Sequence, residues 1–273
     1  KNNWNNIGRS FEGVLWEDSF LSGELLLMHL FINETMSDSH NDRDDVVIDG
    51  LYWTKTIPFL AKNSVYDVYF INFRNMDFLG SVNSLVSYNN IGLRFNGQKG
   101  NFALESELAL QNSSGTSSNN DVSASLFSFN LGYNPDGIGF LNSVFLGLDR
   151  ISGDDSSTET AEGFSKEFGA RHKHHGFYDY NLHKKYFGHG HDGLNEINAK
   201  ANIDILKRTN LLVALHNFRS AVKDIYYGNE VNFIFKTKHN DEVSSEIGSV
   251  FYFPDQGDKK TLPFFYLMIT ADF

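Results

Sequence analysis

Residues 264–273 read FFYLMITADF. Phe265, Leu267, Ile269 and Ala271 occupy every second place, and Phe273 follows them. Successive side chains of a strand face opposite sides of a sheet, so this spacing predicts a strand with one oily face. Chain ends are usually frayed and polar, whereas this one stops inside a strand pattern. A single amphipathic strand fits either the edge of a soluble sandwich or the wall of a barrel. The rest of the chain has to choose between them.

The same period recurs upstream. In NFALESELALQ (101–111), Phe102, Leu104, Leu108 and Leu110 oppose Glu105, Glu107 and Gln111. In NNIGLRFNG (89–97), Ile91, Leu93 and Phe95 oppose Gly92, Arg94 and Asn96. In NEINAKANIDI (195–205), Ile197, Ala199, Ala201, Ile203 and Ile205 oppose Asn198, Lys200, Asn202 and Asp204. In NEVNFIFKTK (229–238), Val231, Phe233 and Phe235 oppose Glu230, Asn232, Lys236 and Lys238. About thirteen such segments are expected, each roughly 8 to 14 residues long and bounded by turn signals. They include FEGVLWEDSF, GELLLMHLFI, VVIDGLYWTKT, SVYDVYFINF, VSASLFSFNLGY, LNSVFLGLDRI, NLLVALHNFRSA and EVSSEIGSVFYF.

A soluble sandwich also alternates, with its polar face in water. Strand length and loop asymmetry favour the barrel. Soluble strands are commonly about 5 or 6 residues, whereas about 9 to 11 residues tilted near 45° cross a bilayer. NGQKGN, YNPDGI and KRTN are tight connections. NETMSDSHNDRDD, NSSGTSSNNDV and residues 152–193 are long and polar. Tight turns at one end and long loops at the other are the arrangement of outer-membrane barrels.

Composition agrees. The 273 residues, long enough for one large β domain or two small ones, carry a net charge of −11 and are 15% aromatic, with 25 Phe and 12 Tyr. Phe and Tyr favour strands. There is no cysteine, hence no disulfide framework and no thiolate metal site. No apolar run approaches the roughly 18 residues of a membrane helix. The acidic balance argues against nucleic acid, whose phosphates need clustered Lys and Arg. The chain starts at Lys1 without Met or a signal peptide, which reads as a processed chain or a fragment.

The segment LGLDRISGDDSSTETAEGFSKEFGARHKHHGFYDY is the most distinctive. With its S-G-D-D at 152–155 and H-K-x-x-G-F-x-D-Y at 172–180, it resembles the alginate-export family of outer-membrane porins. GRSFEG, IGLRFNGQKGNFALESELALQ, GNEVNFIF and FYLMITADF resemble further blocks of that family in the same order. The resemblance implies an all-β transmembrane antiparallel barrel in the bacterial outer membrane. About 12 to 14 strands would be present here, as the part of a barrel of about 16 to 18 strands that lacks the N-terminal ones. It implies a porin passing hydrophilic solutes by diffusion, including anionic oligosaccharides, without cofactor or catalysis. The implied partners are outer-membrane lipid, lipopolysaccharide, and a protein partner at the outer loops. The terminal Phe273 resembles the signal read by the barrel-assembly machinery. The alternative is a structural or polysaccharide-binding barrel plugged by its own loop.

The whole chain is expected to form one domain. Its expected pore lining is Arg94, Glu105, Glu107, Lys200, Asp204, Glu230 and Lys236, the charged members of the polar faces. That lining is mixed in sign, where the family resemblance implies arginines guiding a polyanion. Residues 152–193 are expected to fold inward as a gate through Arg171, His172, Lys173, Asp179, Tyr180, Lys184 and Lys185. The first part, SGDDSSTETAEG, is expected to be mobile. The second carries Phe164, Phe168, Phe177, Tyr178, Tyr180, Tyr186 and Phe187, and such rings gain about 1.5–3 kcal/mol each on burial. His189 and His191 are the weak candidates for a metal site, since imidazole suits zinc, copper or nickel. No H-E-x-x-H frame or G-x-S-x-G elbow is present, so the chain is read as metal-free and non-enzymatic.

Overall fold

A computed structural model describes residues 11–32, 46–58, 62–75, 87–113, 121–165, 175–177, 190–255 and 260–271. These residues form thirteen strands and no helix. The strands are β1 (Glu12–Phe20), β2 (Gly23–Ile32), β3 (Val46–Thr56), β4 (Lys62–Asn75), β5 (Tyr88–Lys99), β6 (Phe102–Ser113) and β7 (Ser123–Tyr133). They continue with β8 (Leu141–Ile151), β9 (Leu194–Leu206), β10 (Thr209–Arg219), β11 (Tyr226–Lys238), β12 (Val243–Pro254) and β13 (Leu262–Ala271). All thirteen lie in one sheet in chain order, and every neighbouring pair is antiparallel. The architecture is all-β and consistent with a barrel-like fold.

An up-and-down meander sorts its connections onto two ends. One end holds 21–22, 57–61, 100–101, 134–140, 207–208 and 239–242. The other holds 33–45, 76–87, 114–122, 152–193, 220–225 and 255–261. The expected asymmetry of short turns against long loops is therefore a property of the fold. β1 and β13 run in the same direction and are not neighbours in the sheet.

The two faces of the sheet are inverted relative to a water-soluble one. On one face Leu93 (55% exposed), Leu146 (60%) and Leu267 (65%) point outward, with Ile91, Leu108, Phe129 and Ile197 among their neighbours. On the other face Glu196 (0%), Glu230 (1%), Asn198 and Asn232 are buried. Register fixes this assignment: Arg94 stands opposite Glu107, and Asp149 opposite Glu196. A one-residue slip would exchange the faces of a whole strand.

The apolar face gives way to polar side chains toward the long-loop end. There Asn72 donates to Asn89 across β4 and β5 (2.7 Å), and Asn217 to Asn229 across β10 and β11 (2.7 Å). His29 and Arg74 both bond Asp49 at the same level. On β6 the oily positions run from Phe102 to Leu110, before Asn112. At about 3.4 Å per residue, that stretch is roughly 27 Å long along the strand.

Buried apolar groups gather on the polar face at the long-loop end. Ala109, Ala124, Ile151, Leu194, Phe218, Tyr227 and Tyr252 pack with Phe164 of the 152–193 connection.

Candidate functional site

The polar face of β3–β6 carries an interlocked charge cluster. Arg94 donates to Asp67 (3.1 Å) and to Glu105 (2.8 Å). Thr54 donates to the second oxygen of Asp67 (2.9 Å). Tyr69 donates to Glu107 (2.7 Å) and stacks in parallel on Tyr52, ring centres 5.6 Å apart. Arg94 is thus held between two carboxylates, a geometry its planar fork suits. Glu105 and Glu107 are partnered by the wall itself.

Residues 152–163, expected to be mobile, are instead tied to the wall, as are Phe164 and Ser165 after them. The Ser152 hydroxyl donates to the Glu162 carbonyl (2.6 Å) and accepts from the Ser125 N–H (2.8 Å). Asp154 accepts backbone N–H groups from Glu162, Gly163 and Gly190. Asp155 accepts from the Ser157 N–H (2.9 Å), which holds its pKa below the ordinary aspartate value. The Gln111 amide clamps Ser165, donating to its carbonyl (2.6 Å) and accepting its N–H (2.8 Å). Val122 and Ala161 form a parallel bridge. The composition of SGDDSSTETAEG suggested solvation, but its short polar side chains bond nearby backbone, and Phe164 anchors the segment in the core.

Residues 175–177 reach four strands. His175 Nδ1 donates to Glu196 on β9 (2.7 Å) and lies 3.9 Å from Asp149 on β8. His216 on β10 donates from Nδ1 to the other Glu196 oxygen (2.6 Å). The Phe177 N–H donates to Glu230 on β11 (2.7 Å), and the Phe177 ring stacks on Tyr266 of β13 at 5.8 Å. Two glycines make this possible. Gly176 has φ +79, and a Cβ there would lie 2.4 Å from Glu230 Oε1. Gly248 lies beneath the Tyr266 ring, where a Cβ would meet Cε1 at 1.9 Å.

The expected pore-lining residues all fall on the polar face. Lys200 forms no ion pair among the described residues and stands two rungs along β9 from Asn198. Lys236 pairs with Glu246 (3.0 Å). Asp204 accepts from Asn142 (2.7 Å) and Asn210 (3.4 Å). Asp204, Arg208, Lys236 and Lys238 border a cleft of about 490 Å³ at the tight-turn end. Arg171, His172, Lys173, Asp179, Tyr180, Lys184, Lys185, His189 and Phe273 lie outside the described residues. His191 gives its carbonyl to the Asp154 N–H (2.7 Å). Sequence reading missed Asp67, Asp149, Glu196 and His216. Glu196 shares parity with Asn198 and Lys200, so the alternation could have found it. His216 sits between Ala214 and Phe218 on its face, where apolar neighbours hid it.

Neither known protein-family models nor curated proteins match this chain.

Proposed function

We propose that this chain forms the wall of a bacterial outer-membrane β-barrel through which hydrophilic solutes diffuse passively. One observation carries the reading: the exposed face is apolar while carboxylates, amides and imidazoles are buried on the other. Water would favour the reverse, because ionised groups lose hydration when buried. A bilayer outside and a polar interior reconcile both faces, and at the tilt near 40° of such barrels the oily stretch makes a band roughly 20 Å tall that suits the hydrocarbon layer. The polar end of the outer face then meets lipopolysaccharide.

Arg94 is neutralised by Asp67 and Glu105, so in this reading it shapes the bore. Among the described residues Lys200 is a wall cation without an ion pair, free to attract anionic solutes, acidic oligosaccharides among them. The likeness to alginate-export porins is compatible with this but rests on its sequence blocks. A second reading has its own support: residues 175–177 span β9 to β13 across the polar face, as a plug would. Single-channel recording in planar bilayers separates the two. Deleting residues 164–187 should raise conductance and weaken anion preference. If neither the intact nor the deleted chain conducts, the pore reading fails and the plugged binding barrel takes its place.

A further inference from the structure

We propose that Asp149, Glu196 and His175 form a site for a divalent cation of the zinc class. The cation would cross-link the 152–193 connection to the polar wall. Asp149 and Glu196 are direct register partners on β8 and β9, and they are 4% and 0% exposed. Like charges directly opposite one another destabilise a sheet, and burial removes the screening that would blunt their repulsion. Among the described residues neither carboxylate bonds an Arg or Lys. One ligand atom each from Asp149, His175 and Glu196 lies within 4.8 Å of the others.

Bonds of about 2.0–2.2 Å to a tetrahedral zinc ion would set these atoms roughly 3.5 Å apart. Small side-chain adjustments suffice. The ion would take the place of the proton now shared between His175 Nδ1 and Glu196, with the imidazole carrying its proton on Nε2. A second feature points to the same place. Asn198 is 2% exposed; its Nδ2 donates to Glu196 Oε1 (3.2 Å), while its Oδ1 is buried without a partner. A half turn of the amide keeps its shape and brings Oδ1 to the Glu196 side, offering a fourth ligand atom. His216 would remain on Glu196 and orient it, the usual role of a group behind a metal ligand. Carboxylate and imidazole together suit zinc, and also manganese, iron or nickel.

The test uses the full, tag-free chain refolded in detergent and stripped by chelator. Zinc binding is followed by calorimetry, and cobalt binding by its visible spectrum. Wild type should bind one equivalent. Asp149→Asn, nearly isosteric, should weaken binding by more than about 10-fold. His175→Ala should abolish it, and His191→Ala should leave it unchanged. Zinc should slow proteolysis within residues 152–193 of wild type but not of His175→Ala. If Asp149→Asn does not refold, His175→Ala decides alone, because it removes a loop side chain and leaves the wall intact. Absence of binding by wild type at millimolar zinc overturns the proposal. So does undiminished binding by His175→Ala, which would place the ion on other histidines. None of these readouts uses membrane current, so they stand apart from the conduction reading.

Discussion

Leu93→Arg tests which solvent the apolar face meets. Leu93 is 55% exposed on β5, flanked on its own face by Ile91 and Phe95 and paired with Leu108 of β6. In water, replacing so exposed a side chain shifts stability by no more than about 0.5 kcal/mol. At the middle of a bilayer an arginine costs about 2–4 kcal/mol, a change of roughly 30- to 1000-fold in the folding equilibrium. Asn112→Arg serves as the control, since Asn112 lies on the same sheet face beyond the oily band. Near the interface the cost falls to about 0–1 kcal/mol. Urea unfolding of the chain inserted in phospholipid vesicles measures both. With an m-value of about 1–3 kcal/mol per molar, Leu93→Arg should lower the midpoint by roughly 0.7–4 M, and Asn112→Arg by less. Equal, small shifts for the two variants would refute the bilayer assignment and return the sheet to water.

Gly176→Ala should release residues 175–177: the left-handed φ costs about 1 kcal/mol, and displacing Glu230 loses a charge-assisted bond of about 1.5–3 kcal/mol. Faster proteolysis within 152–193 without loss of sheet circular dichroism would register it, and unchanged cleavage would contradict it. Arg94→Gln should lower the unfolding midpoint by the equivalent of about 2–3 kcal/mol, because Asp67 is buried and loses its guanidinium. Under the conduction reading, Lys200→Glu should turn anion preference toward cations in reversal-potential measurements. An unaltered reversal potential would show that Lys200 lies off the solute path.

The sequence by itself determined the local structure. Period-two alternation placed 23–32, 46–56 and 141–151 as strands with the bounds they have in the fold, because which face a side chain takes depends only on its neighbours two residues away. It also separated Ile197, Ala199 and Ala201 from Asn198 and Lys200, and so named the polar wall without seeing it. It sorted the connections into short and long, because Gly, Asn and Asp at turns act over a few residues. It misjudged 152–163, since a run of Ser, Asp and Thr reads as solvated whether its side chains meet water or backbone.

Tertiary structure decided the meetings. Asp149 faces Glu196 only because β8 and β9 pair across the 152–193 connection. His175 finds Glu196, and Phe177 finds Glu230 and Tyr266, through the path of that connection over the polar face. Arg94 was legible as a cation on the polar face, but its neutralisation needed Asp67 from the strand before and Glu105 from the strand after. Periodicity encodes which way a side chain points; the partner it meets there depends on strand register and loop path, which are set by the packing of residues far apart in the chain.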